Sequence, residues 1–217
     1  MTNSKPTVFI PAAGLGTRLG VLTANCPKAL VEYQGKPLLL HLLEKLQREG
    51  FRDIVINVHH HAQQIIDYVQ TPAVRELYGS IAISDESRLL LDTGGALVKA
   101  LPLLHSEDVL VYNVDIFSDI NLSQFHEEFC NSDADALLAV RERNTSRKLL
   151  FDKDSLQLCG WRNEKTEAVK IVEGRNTTAA GATTEITALA FSGIHIIKTT
   201  VIKELQKHFG SEKAFSI

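Results

Sequence analysis

Cysteine is scarce and scattered in this 217-residue sequence: Cys26, Cys130 and Cys159 are three in number, far apart, and form no Cys-x-x-Cys pair. That pattern excludes a disulfide framework and a zinc knuckle, and it fits a reducing compartment. No apolar run approaches the roughly 20 residues needed to cross a bilayer. The opening residues Met1-Thr2-Asn3-Ser4-Lys5-Pro6 are polar and have no apolar core of a signal peptide, so a cytoplasmic location without a membrane partner is expected. Positive charge is not in excess either. The formal net charge is −3, whereas a nucleic-acid partner would want an extended basic face. What is present, 44% hydrophobic and 23% charged residues, is an ordinary globular composition. The chain is long enough to bury a substantial core, and residues 1–217 are read as a single domain.

Two glycine motifs are missing as well. Gly14 and Gly16 lie in Pro11-Ala12-Ala13-Gly14-Leu15-Gly16-Thr17-Arg18-Leu19-Gly20. The dinucleotide fingerprint needs a further glycine at the sixth position, where Leu19 stands. No Gly-Lys-Ser/Thr follows at P-loop spacing. The segment does follow Thr7-Val8-Phe9-Ile10, short and β-branched enough for a buried strand. A strand entering a small-residue turn aims several backbone N–H groups one way, and such a row binds phosphate oxygens. Gly14 and Gly16 carry no Cβ and so admit close approach. Arg18 and Lys28 add mobile positive charge; with Lys36 they face only Glu32 between Gly14 and Lys36, so the segment is locally basic. These residues predict a polyphosphate site.

Ala12 to Leu19, then Pro27-Lys28-Ala29-Leu30-Val31 and Gly35-Lys36-Pro37-Leu38, resemble the signature of the sugar-1-phosphate nucleotidyltransferases. The resemblance extends from about Thr7 to about Ile197 and is nearest to the short bacterial branch of N-acetylmuramate-1-phosphate uridylyltransferases and mannose-1-phosphate guanylyltransferase-like proteins. It implies an α/β fold: a Rossmann-like three-layer α/β/α arrangement around a mixed, mainly parallel sheet. It also implies an NTP and a sugar-1-phosphate as substrates and Mg²⁺ as cofactor. Ala12, Ala13, Gly14, Gly16, Thr17, Arg18 and Lys28 would then hold the nucleotide.

Along the chain, Leu39, Leu42, Leu43 and Leu46 make one helical stripe between Pro37 and Gly50. Ile54 to Val58 reads as the next strand, and strand–helix–strand with short joins implies a parallel crossover. His59-His60-His61 has no carboxylate or cysteine at ligand spacing and reads as a polar turn before a helix. Gly94 and Gly95 precede a helix and leave backbone open to a flat ligand or an anion; they resemble the family's second glycine element, which contacts the nucleobase. Asp108 to Tyr112 is a strand that delivers Asn113 and Asp115 at its carboxyl end, where ligands of open α/β sheets gather. Asp115 is a natural Mg²⁺ ligand there, with turn or cap formation as the alternative, and it matches the family's metal aspartate. Asn121 caps a helix over Leu122–Phe129. Leu149–Phe151 and Leu156–Leu158 flank a hairpin turn.

By the same resemblance, Ser192 and Gly193 in the strand Thr187–Ile197 approach the sugar, together with Glu173. Two family features are not found: the lysine expected after Glu173, where Gly174 stands, and a second metal aspartate after Ile197. The chain is therefore expected either to want its C-terminal end or to do without that ligand. A catalytically impaired nucleotide-binding regulator of the same fold stays open as an alternative, and a Rossmann dehydrogenase is disfavoured by the glycine spacing.

Overall fold

In the computed structural model, residues 4–14, 16–172, 185–211 and 213–216 are described, Arg18 and Leu19 by their backbone alone. The strands are β1 (Thr7–Pro11), β2 (Glu32–Tyr33), β3 (Lys36–Pro37), β4 (Ile54–Val58), β5 (Ala82–Asp85), β6 (Asp108–Tyr112), β7 (Ala136–Arg141), β8 (Arg147–Asp152), β9 (Leu158–Asn163), β10 (Val169–Ile171) and β11 (Ile186–Lys198). The helices are α1 (Leu38–Arg48), α2 (Ala62–Val69), α3 (Pro72–Arg75), α4 (Asp92–Ala100), α5 (Leu122–Cys130) and α6 (Thr199–Phe209). Short 3-10 segments cover Thr17–Thr23, Lys28–Leu30 and Leu101–Leu103. Among the described residues, no helix is long and apolar enough to cross a membrane.

The chain divides into two compact units: Met1–Leu137 with Ile194–Ile217, and Leu138–Gly193. In the first, β1 pairs in parallel with β4 on one side and β6 on the other, and β4 pairs in parallel with β5. The last part of β11, Ile194–Lys198, closes this sheet antiparallel against β6. Val8, Phe9 and Ile10 are all fully buried, as a strand covered on both faces must be; the continuous apolar run rather than an alternating one is the cause. Phe9, Val55, Val109 and Val111 pack with Leu97 and Val98 of α4 and Ile202 of α6 in one core. The leucine stripe of α1 is buried as its spacing predicts.

In the second unit, β8 and β9 form an antiparallel hairpin whose Asp152 Oδ1 accepts the backbone N–H groups of Asp154 (3.0 Å) and Ser155 (2.7 Å). β10 pairs antiparallel with β9, and the first part of β11, Ile186–Leu189, with β8.

Candidate active site

The cleft of the first unit, about 190 Å³, lies where the parallel strands end. β1 supplies Pro11 and the following Ala12, Ala13 and Gly14; β4 supplies Asn57; β6 runs out into Asn113, Val114 and Asp115. Lys28 enters from the 3-10 turn, and Glu86, Leu90, Asp92, Thr93 and Ala96 from the β5–α4 connection and α4. A parallel sheet with both faces covered leaves its strand ends as the place where loops can converge, which is why these distant segments meet.

Lys28 Nζ pairs with Asp115 Oδ2, with 29% and 36% of the two side chains exposed. The cation and the acid singled out from sequence thus face the same cavity. Gly14 is open: a Cβ built there meets nothing within 4 Å. Gly16 is not. A Cβ there would lie 2.8 Å from Thr23 Cγ2, the residue has φ +64°, and Thr23 Oγ1 donates to the Gly16 carbonyl at 3.0 Å. Gly16 therefore serves the turn itself, and the expectation that it opens the main chain to a ligand is corrected. Gly16 and Thr17 do not line the cleft; Arg18 contributes only its backbone to the described structure, in the 3-10 segment after Gly16.

Ala12 and Ala13 require a second correction. Their N–H groups are not free for phosphate, because both donate to Asn57 Oδ1, at 2.7 and 3.3 Å. Asn57 Nδ2 in turn donates to Glu86 Oε1 at 2.8 Å, and Glu86 Oε2 accepts the Leu91 N–H at 3.1 Å. Glu86 is fully buried; burial pushes its carboxyl above the usual range, although the Asn57 and Leu91 hydrogen bonds oppose this. Asn57 and Glu86 so tie the exit of β1 to that of β5. Neither was found from sequence. The available signal was an amide inside the otherwise apolar run of β4; Glu86, in a polar Asp-Glu-Ser turn, gave none.

Gly94 and Gly95 differ most from expectation. α4 begins at Asp92, so the glycines lie within its first turn, buried. Asp92 itself takes a left-handed conformation, φ +56°. The carbonyl of Phe215 accepts the N–H groups of Gly94 (2.9 Å) and Gly95 (3.3 Å), and the Phe215 N–H donates to the Leu91 carbonyl (3.1 Å). A Cβ on Gly95 would lie 2.4 Å from the Lys213 carbonyl oxygen. These glycines admit the 213–216 segment; Asp92, Thr93 and Ala96 present α4 to the cleft instead.

Ser192 and Gly193 stand in β11, in the second unit, with Gly193 at φ +79°. Glu173 and the small-residue stretch 176–184 lie outside the described residues.

Residues 8–151 match the nucleotidyl transferase family model. The N-acetylmuramate alpha-1-phosphate uridylyltransferase of Caulobacter vibrioides is 39% identical over 115 residues, covering 53% of this chain and 48% of that protein. The mannose-1-phosphate guanylyltransferase catalytic subunit beta of Drosophila melanogaster is 32% identical over 150 residues, 67% of this chain and 40% of that one. The chain thus spans about half the length, or less, of these relatives. Among solved structures, HddC from Yersinia pseudotuberculosis complexed with GMP-PN superposes with a TM-score of 0.70 at 24% identity, covering 98% of this chain and 83% of that one. A strand–glycine-turn–cation arrangement opposite a post-strand aspartate, the matched family model and the shared fold agree: the chain belongs to the nucleotidyl transferase family.

Proposed function

We propose that this chain carries the nucleotide site of a sugar-1-phosphate nucleotidyltransferase, which converts an NTP and a sugar-1-phosphate into an NDP-sugar and pyrophosphate. The observation that carries the proposal is the meeting of Lys28 and Asp115 across one cleft at the ends of β1 and β6. The sugar phosphate oxygen attacks the α-phosphorus, and the bond to the pyrophosphate oxygen breaks with its electron pair leaving on pyrophosphate. The nucleophile is already an oxyanion, so no general base is required. What the protein must supply is in-line placement and relief of repulsion between two anions.

Gly14 lets the triphosphate approach the main chain, Lys28 faces the α-phosphate, and Arg18 is assigned to the leaving pyrophosphate. Asp115, with Asn113 also in the cleft lining, offers a hard oxygen donor of the kind that holds Mg²⁺ with one or two carboxylates plus phosphate oxygens. When bound, that ion supplies charge neutralisation on the phosphate oxygens. Asn57 and Glu86 keep the Ala12–Gly14 turn in place. Ser192, Gly193 and Glu173 are assigned to the sugar, and the two kinds of relative, a uridylyltransferase and a guanylyltransferase, point to UTP or GTP as the nucleotidyl donor.

The test is pyrophosphate release by the purified protein given each NTP, Mg²⁺, and N-acetylmuramate 1-phosphate or mannose 1-phosphate. Arg18→Ala should lower turnover about 10²–10³-fold, as loss of one charge-stabilising donor does, and Asp115→Ala should lower turnover by removing the carboxylate assigned to Mg²⁺. Unchanged turnover in both variants would remove the assignment.

A further inference from the structure

Away from the cleft, three side chains with metal-binding atoms converge at the other end of β6. Asp108 opens that strand; His126 and Cys130 lie one turn apart on the same face of α5. Asp108 Oδ2 is 3.3 Å from His126 Nε2, His126 Nε2 is 3.3 Å from Cys130 Sγ, and Cys130 Sγ is 4.0 Å from Asp108 Oδ2. Among the described residues, this is the one group of three such side chains close enough to share an ion.

Two features separate a chelating triangle from an incidental ion pair. First, the contacts meet at a single ring nitrogen. A thiol–imidazole–carboxylate relay would use opposite nitrogens of the histidine, as nucleophilic triads do; here both neighbours sit at Nε2, so the three atoms surround one point. Second, the triangle has the right size. Zinc bonds of about 2.3 Å to sulfur, 2.0–2.1 Å to nitrogen and 2.0–2.2 Å to oxygen at tetrahedral angles require ligand separations of about 3.3–3.6 Å. Two edges are already there, and the third closes by about half an ångström. His126 is buried, whereas Asp108 and Cys130 are partly exposed, which gives the ion an entry path and leaves a fourth position for water. Thiolate and carboxylate together balance a divalent charge.

We propose that Asp108, His126 and Cys130 form a binding site for a borderline-soft divalent cation, zinc by its donors, clamping the end of α5 to the start of β6. Thiolate and imidazole select such an ion over Mg²⁺. Binding expels the thiol proton to solvent as the Cys130–metal bond forms. The scattered cysteines conceal the site in the sequence because the fold, not a spacing motif, assembles it. It does not depend on the function proposed for the cleft, from which β6, five residues and about 17 Å long, separates it.

The test uses the reduced, metal-free full chain titrated with Co²⁺. One equivalent should produce a thiolate-to-cobalt charge-transfer band in the near ultraviolet, removed by Zn²⁺ and untouched by Mg²⁺. Cys130→Ser should abolish the band, Asp108→Asn should weaken binding at least tenfold, and Cys26→Ser and Cys159→Ser should leave it intact. No thiolate band, a band that survives Cys130→Ser, or one lost in Cys26→Ser would overturn the proposal. A readout without substitution accompanies it: Zn²⁺ should slow alkylation of Cys130 at least tenfold, resolved by mass spectrometry, with Cys26 unaffected. Equal rates with and without Zn²⁺ would also overturn it.

Discussion

Asn57 illustrates how one buried amide can hold a site without touching its chemistry. Its side-chain oxygen accepts two backbone donors of the β1 exit and its side-chain nitrogen donates to a buried carboxylate, so these bonds join β4 to the loops on either side. Asn57→Ala leaves the Ala12 and Ala13 N–H groups without an acceptor in a buried setting, which costs about 1–3 kcal/mol. Thermal unfolding should record the loss, and, on the proposed function, the KM for NTP should rise more than kcat falls, since the turn proposed to meet the triphosphate loosens. Lys28 and Asp115 were legible from sequence because a cation after a glycine turn and an acid after an apolar strand have recognisable contexts. Asn57 and Glu86 were not, because their role lies in hydrogen bonds between strands far apart in the chain. The second glycine pair shows a different limit: small residues at a helix start signal room, but not that the room beside Gly94 and Gly95 is filled by the backbone of residues 213–216.

At the scale of elements, strands were the most legible feature, since β-branched and apolar runs mark β1, β4, β6 and β11 directly. β2, β3 and α3 are too short to carry a period. His195, in the part of β11 paired with β6 opposite Val111, is buried, and burial drives its pKa from 6.5 down to about 4. The unfolded chain therefore takes up this proton first. Stability from this group is full above pH 6.5, declines as pH falls from 6.5 to 4, and is level below that. The span of that shift corresponds to about 3 kcal/mol. In His195→Leu, the fall of the melting temperature between pH 7 and pH 4 should be shallower. A separate prediction concerns the second unit. A Cβ on Gly160 of β9 would lie 2.1 Å from the Lys170 carbonyl oxygen of β10, and a backbone atom cannot swing aside. Gly160→Ala should cost about 1–3 kcal/mol and expose the β10 amides to hydrogen exchange. In α4, Gly95→Ala should displace 213–216 and bring the Phe215 amide into fast exchange.

Over the whole molecule, the parallel order of the first unit was foreseeable from the alternation of strand and helix, whereas the division into two compact units was not. The two proposed sites of the first unit lie at opposite ends of β6. Stabilisation by Mg²⁺–NTP and by Zn²⁺ should therefore add to within about 0.5 kcal/mol in thermal-shift measurements, as independent sites do.

The partially exposed contact between Lys28 and Asp115 is of a kind worth no more than about 1 kcal/mol, so it is readily exchanged. While it lasts, the Lys28 ammonium and the Asp115 carboxylate occupy one another, and neither is offered to a stray ion. A triphosphate alone would claim the ammonium and strand the carboxylate; a divalent ion alone would do the reverse. Only the two arriving together give both the ammonium and the carboxylate a new partner. Calorimetric titration of NTP should accordingly show affinity climbing with Mg²⁺, and that synergy should vanish in Asp115→Asn.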